Sequence, residues 1–411
     1  MIKKKNTNID YPLFFAVVFL ILFWMMMISS VSIFKSHEIT LKLVNKGLIQ
    51  EPYNYFYVIK NIFHVIAGFI VLILTVKIPY KFFEKYSPYL LLFTTFLLSY
   101  VLVFAKVVKW AKLWIDIPGL PFNIQPTELL KFTLILFLAY FFKRNIKKIK
   151  SFKYWFLPFL WIIVFFLIIL ALLPDFWTVM VLVPVAFIMF FLSWANVRYL
   201  TILTLIWIIL SFWIYSSWKY NRNLWEERPK LAYITERIDY FLEDSKHLFD
   251  RKQINRGKTY QTKQALITIW SWGFSGLWLW NSIQKRWYLP EVQWDFIFSV
   301  IVEELGFLWS FILLSLYLFI AYRWFYIYSQ VNDIFAKLVA AWISTWFITQ
   351  AFINIWVNLN IMPLTWITLP FVSYWGSSLL TLMIALWVLL NISRELHGKT
   401  QFTRTKRRKM I

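Results

Sequence analysis

The chain has 411 residues, 60% hydrophobic, 22% aromatic and only 15% charged, with a net charge of +23. Soluble domains are about 45–50% apolar and about 25% charged, so a soluble globular protein is excluded and a bilayer is the expected solvent. Without cysteine there are no disulfides and no thiolate chemistry, and the four scattered histidines (His37, His64, His247, His397) give no metal-ligand spacing.

Long apolar runs follow one another along the chain. A spanning helix needs roughly 20 apolar residues, and lipid tolerates no open backbone polar groups, so each run is expected to be a helix. Seven runs precede a long gap: Tyr11–Phe34, Tyr57–Val76, Tyr89–Val108, Glu128–Phe142, Tyr154–Leu173, Thr178–Leu192 and Tyr199–Trp218. Three follow it: Phe296–Tyr322, Ala336–Leu359 and Leu369–Ile392. The fold class is therefore an all-α polytopic membrane protein of about ten transmembrane helices, with one large extracytoplasmic loop between the seventh and eighth. The first run is too long for a cleaved leader and no small-residue cleavage site follows it. The expected organisation is a tail at 1–10, helices one to seven over 11–218, the loop at 219–295, helices eight to ten over 296–393, and a basic tail at 394–411.

Charge sets the orientation. Basic residues gather at Lys3–Lys5, at Lys77, Lys81 and Lys85, in Lys143–Lys153 and in Arg404–Lys409. With ten spans and the N-terminus inside, all four groups fall on the cytoplasmic side, as the positive-inside rule requires. Both termini are then cytoplasmic, and the basic residues meet anionic membrane lipids rather than nucleic acid. In the loop, the first half is charged and the second, Tyr260–Ile283, is apolar with small residues and is expected to lie on or dip into the bilayer. Loops of this length are usually functional.

Charges inside spans are costly and point to function. Glu128 and Lys131 lie one turn apart and can pair on one face of the fourth span. Asp175 stands where the chain turns back after the fifth, and Glu303 and Glu304 lie about two turns into the eighth. Each could be a structural ion pair. Together they predict a polar cavity open to the outer face, beside the loop. His64, inside the second span, is expected to face a cavity or a partner helix.

Four segments carry a resemblance. They are I-Q-P-T-E-L-L-K (Ile124–Lys131), P-D-F-W-T (Pro174–Thr178) and Y-L-P-E-V-Q-W-D-F-I-F-S-V-I-V-E-E-L-G (Tyr288–Gly306). The fourth, between Gln350 and Ser378, holds Q-A-F-I-N-I and L-P-F-V-S-Y-W-G-S-S. In order and position these resemble the FtsW/RodA/SpoVE proteins of shape, elongation, division and sporulation, more on the FtsW side. The resemblance implies ten spans and a peptidoglycan glycosyltransferase that polymerises lipid II at the outer face of the cytoplasmic (inner) membrane. It also implies a class B penicillin-binding protein as partner, within the divisome or elongasome, for cell division or cell-shape maintenance. The family's proposed catalytic aspartate matches Asp295.

That role suits a carboxylate at the membrane rim. A sugar hydroxyl must attack an anomeric carbon bearing polyprenyl pyrophosphate, and Asp295 can accept the proton. Lys285 and Arg286 are candidates to receive the leaving pyrophosphate, and a divalent cation (magnesium or manganese) could assist. Glu128, Lys131, Asp175, Glu303 and Ser377 complete the candidate substrate-binding set. Asp295 as a plain helix cap is the bland reading. A lipid II flippase and a non-catalytic scaffold for the penicillin-binding protein are the rival functions.

Two departures from the family pattern stand out. Leu113 precedes Trp114 where arginine is usual. Further, the chain has only 9 glycines and 25 tryptophans, whereas about 7% glycine, roughly 29 residues, would be ordinary. Trp177, Trp278, Trp280 and Trp375 stand where the family motifs carry glycine. Trp110, Trp194, Trp270, Trp272, Trp309, Trp342, Trp356, Trp366 and Trp387 look like further cases, and Trp294, just before Asp295, is a candidate for one more. An indole supplies neither positive φ nor close helix approach. We therefore expect these codons to be UGA read as glycine by the organism. The rival is a tryptophan-rich protein using indoles as interfacial anchors. Masses of tryptic peptides over Thr262–Lys285 separate the two.

Overall fold

The structure is a computed structural model. It describes residues 9–75, 78–105, 113–116, 123–149, 151–173, 175–193, 260–270, 273–290 and 292–408, with short pieces at 198–199, 201, 204–205, 216, 237–239 and 241. Most of the expected seventh span and most of the first half of the loop lie outside the described residues.

The helices follow the apolar runs: α1 (Tyr11–Val31), α2 (Ile33–Asn45), α3 (Phe56–Thr75), α4 (Tyr80–Phe104), α5 (Pro126–Arg144), α6 (Leu157–Leu172) and α7 (Phe176–Leu192). After the gap come α8 (Tyr260–Trp270), the single turn α9 (Gln284–Trp287), α10 (Ile297–Gln330), α11 (Ile334–Asn358) and α12 (Gly376–Arg408). Seven described helices are long and apolar enough to span a membrane. Helix α7 is apolar but shorter, and α5, whose first turn carries Glu128, is 19 residues long. The chain is a multi-pass membrane protein.

Several boundaries differ from the sequence reading: α10 runs on to Gln330, eight positions past Tyr322, and α12 continues to Arg408 through most of the expected basic tail. Helix α4 starts at Tyr80, nine positions before Tyr89, and runs through Pro88. The last span starts at Gly376 rather than Leu369, because Leu369–Trp375 forms turns with Phe371 at φ 60°. Pro370 lacks the N–H that a helix would need there.

Helices α11 and α12 form the centre, each with 83% of its span buried, whereas α3, α4 and α6 have 28% buried and turn one side outward. Helix α11 packs against α10, α5 and α7, while α12 packs against α3 and α5. Polar ties fix the ends carrying the basic clusters. Asp10 caps α1 through Leu13 N (3.1 Å) and pairs with Arg323 of α10 at 2.7 Å. Lys143 joins Glu84 of α4 (2.5 Å) to Asp333 at the start of α11 (2.8 Å).

Helix α10 is broken in mid-course at Gly306 (φ 77°). Backbone groups freed by a break in lipid must be re-paired. The segment 273–277 supplies the partners: Leu277 N donates to Glu303 O (2.9 Å) and Phe307 N to Gly273 O (3.3 Å). Gly276 and Gly306 are in backbone contact, since a Cβ on Gly276 would stand 2.4 Å from Gly306 N. The segment 273–277 thus packs directly against the broken helix.

Candidate active site

Asp295 ends the loop just before α10. Its side chain is buried in the wall of a cavity of about 660 Å³, which Ser377 at the start of α12 also lines. The other polar walls are Lys60 and His64 of α3, Asp116, Asn123, Arg237 and Gln261, with Tyr57, Trp294 and Tyr374 among the aromatics. Arg237 belongs to the loop. Its guanidinium donates to Leu364 O (2.6 Å) and lies over the rings of Trp177 (5.3 Å) and Trp366 (5.4 Å). Two cations and two carboxylates therefore face one space that could hold a polar headgroup.

A second, small chamber of about 30 Å³ lies beside it, lined by Glu128, Lys131, Asp175, Thr178 and Gln350. Lys131 Nζ pairs with Glu128 Oε1 at 2.7 Å and donates to Gln350 Oε1 at 3.2 Å. Asp175 caps α7, accepting from Thr178 N (3.1 Å) and Thr178 Oγ1 (2.8 Å). Leu113, in place of the expected arginine, lines this chamber with an apolar side chain. Trp114, Trp366 and Trp375 line both spaces, and the rings of Trp114 and Trp375 stack at 6.0 Å. These indoles separate the Glu128–Lys131–Asp175 group from Asp295.

The other expected residues are not brought to this site. Lys285 is buried in an ion pair with Glu304 and donates to Ser30 Oγ of α1 at 2.7 Å. Glu303 accepts from Ile283 N (2.9 Å), Gln284 N (3.2 Å) and Ser282 Oγ, and so caps the turn α9. This set locks the loop onto α1 and α10. Arg286 is exposed, over the Phe34 ring at 5.6 Å. Neither Lys285 nor Glu303 lines either cavity, for their charges are consumed in re-pairing the loop. Conversely, Lys60, Asp116 and Arg237 were not singled out from the sequence. Lys60 could have been: it is a charge in a span, four residues from His64 and so on the same helical face. Asp116 and Arg237 carry no sequence signal. His64 does face the cavity, and its ring packs on Gly376, where a Cβ would stand 2.4 Å from Nε2.

The suspect tryptophans divide by environment. Trp278 (φ 71°) and Trp280 (φ 68°) have left-handed backbones, in one segment with Gly273 (φ 63°) and Gly276 (φ 68°). The indole N–H groups of Trp342 and Trp375 are buried with no hydrogen-bond partner among the described residues. Trp342 and Trp387 are nonetheless closely packed, against Phe142 (5.5 Å) and Phe83 (5.4 Å). Trp110, Trp194 and Trp272 lie outside the described residues.

Comparison with known proteins places these features in a family. Residues 11–398 match the model of the FtsW/RodA/SpoVE family, described as "Cell cycle protein". The chain is 32% identical over 357 residues to the "Probable peptidoglycan glycosyltransferase FtsW" of Buchnera aphidicola subsp. Schizaphis graminum, covering 86% of this chain and 94% of that one. It is 31% identical over 343 residues to the stage V sporulation protein E of Bacillus subtilis, covering 83% and 88%. Among solved structures it is similar to a chain of a peptidoglycan synthase complex that coordinates polymerization and crosslinking (TM-score 0.69, 23% identity, covering 95% and 98%). The rod shape determining protein RodA of Thermus thermophilus is similar too (TM-score 0.62, 19% identity, covering 95% and 98%). With its four motifs in order, its multi-pass helical fold and these matches, the chain belongs to the FtsW/RodA/SpoVE family.

Proposed function

We propose that this protein is a peptidoglycan glycosyltransferase that polymerises lipid II at the outer face of the cytoplasmic membrane, paired with a class B penicillin-binding protein in cell division. The observation that carries the reading is the position of Asp295 in the wall of a cavity that also holds Lys60 and Arg237. In the reaction an acceptor sugar hydroxyl attacks the anomeric carbon of the growing strand. Asp295 accepts the hydroxyl proton as general base. The bond from the anomeric carbon to the pyrophosphate oxygen breaks, and polyprenyl pyrophosphate leaves with the electron pair. Lys60 and Arg237, which line the same cavity, would receive that negative charge, whereas Lys285 is held in its ion pair with Glu304.

The names of the relatives support the activity, and the likeness to a chain of a complex that coordinates polymerization and crosslinking supports a cross-linking partner. Magnesium is commonly held by one or two carboxylates plus substrate phosphates. Asp116 lines the same cavity as Asp295, and a divalent cation held there by Asp116 together with substrate phosphate would supply positive charge to the leaving group.

The test is glycan polymerisation from purified lipid II with the cognate penicillin-binding protein present, comparing the parent with Asp295→Ala. Polymer from the parent and none from the variant supports the reading. Polymer from neither, with lipid II still crossing vesicle bilayers, turns the assignment to a flippase; neither activity turns it to a scaffold.

A further inference from the structure

Helix α11 carries three buried amides at successive turns: Gln350, Asn354 and Asn358. Spaced four residues apart, they line one face of the helix. Asn354 Nδ2 donates to the backbone carbonyl of Asp295 at 3.1 Å and to Ile367 O at 2.8 Å. Asn358 Nδ2 donates to the same Asp295 carbonyl at 2.9 Å, while its Oδ1 accepts from Ser299 N (3.2 Å) and Ser299 Oγ (2.7 Å). In a regular helix Ser299 N would pair with Asp295 O, four residues back. The Asn358 amide takes both groups, as an extra peptide unit spliced into the first turn of α10.

Gln350 continues the row toward the small chamber. Its Oε1 accepts from Lys131 (3.2 Å) and Trp346 Nε1 (2.8 Å), and its Nε2 donates to Thr368 Oγ1 at 2.9 Å. The motif Q-A-F-I-N-I supplies Gln350 and Asn354 of this row.

We propose that Asn354 and Asn358 are positioning residues for Asp295: they grip its carbonyl from α11 and thereby fix where its carboxylate enters the cavity. This rests on Asp295 being the general base. Neither amide lines the cavity, so neither is a catalytic residue. A general base must be within hydrogen-bond reach of its proton, and a small misplacement is expensive in rate.

The test measures lipid II polymerisation by the complex with its penicillin-binding protein, resolving kcat from KM, for Asn354→Ala, Asn358→Ala and Asn358→Asp. The last keeps the shape and loses the donor. Asn391→Ala is the control: that buried amide bridges Tyr80 N (2.9 Å) and Ile78 O (3.0 Å) far from Asp295 in sequence. The expected result is a fall in kcat of about 10- to 100-fold for the Asn358 variants, with a smaller fall for Asn354→Ala. KM should stay within about twofold, since substrate contacts are untouched. Asn391→Ala should lower thermal stability and leave kcat near the parent value. Parental kcat in both Asn358 variants, a change in KM alone, or an equal kcat loss in Asn391→Ala overturns the inference. If Asn358→Ala does not fold, Asn354→Ala and Asn358→Asp decide it. Asp295→Ala in the same assay keeps the two questions apart. If it is dead while the amide variants are normal, only the positioning role falls; if it polymerises, the general-base reading falls.

Discussion

Replacing Trp278 and Trp280 by glycine tests whether the backbone at these positions was selected for indoles. An L-residue in the left-handed region pays roughly 1–2 kcal/mol, which glycine does not. With φ at 71° and 68°, the pair holds about 2–4 kcal/mol of strain on that scale. Glycine has more freedom to lose on folding, roughly 0.5–1 kcal/mol per site, which offsets part of the relief. Trp278 is 74% exposed and Trp280 49%, so little packing goes with the rings. The double variant is expected to be more stable by about 1–2 kcal/mol, read as a higher midpoint of thermal unfolding in detergent. Trp270→Gly is the internal control: its indole is 80% exposed but the residue is helical, so glycine there should stabilise nothing. A double variant less stable than the parent would refute the strain argument. Mass spectrometry of the tryptic peptide Gln264–Lys285 from the native organism provides the second check. Glycine mass at 278 and 280 agrees with the recoded codons, and tryptophan mass there ends that idea.

Other expectations concern the buried charges and the broken helix. Lys131→Met leaves Glu128 charged and unpaired inside the bundle and should cost about 3–5 kcal/mol in thermal unfolding; adding Glu128→Leu should recover most of it. Gly276→Ala sets a Cβ 2.4 Å from Gly306 N at a left-handed position, and a loss of about 3 kcal/mol is expected by the same measurement. Trp375→Gly removes a ring that lines both chambers; turnover in the lipid II assay should rise, while Trp375→Phe should leave it unchanged. Hydrogen bonds from Lys35 and Lys42 hold the Glu38 carboxyl down at about 2. A depressed carboxylate stabilises above its unfolded value of about 4.3 and loses that contribution as pH falls toward 2. The group is exposed, so the effect is about 0.5 kcal/mol, and Glu38→Gln should flatten the acid limb of the stability curve by no more than that.

The sequence by itself determined the solvent, the helical class and most of the spans. Runs of some 20 apolar residues have one solution in lipid, and it is local: each helix satisfies its own backbone. The family was legible for the same reason, since motifs such as P-E-V-Q-W-D-F-I-F-S-V-I-V-E-E-L-G are contiguous. Glu128 pairing with Lys131 was also local, one turn apart on one helix. Which charges share a cavity was not. Lys285 and Arg286 stand close to Asp295 in the chain, yet Lys285 is drawn to Glu304 and Ser30 because the loop must re-pair a helix broken at Gly306. Lys60 and Arg237, 235 and 58 positions before Asp295, line its cavity because α3 and the loop converge on the start of α12. The grip of Asn354 and Asn358 on the Asp295 carbonyl likewise exists only once α11 lies against α10. Long-range pairings of buried polar groups are decided by which orphaned donors and acceptors the packed helices bring together, and no periodicity in the chain encodes that choice.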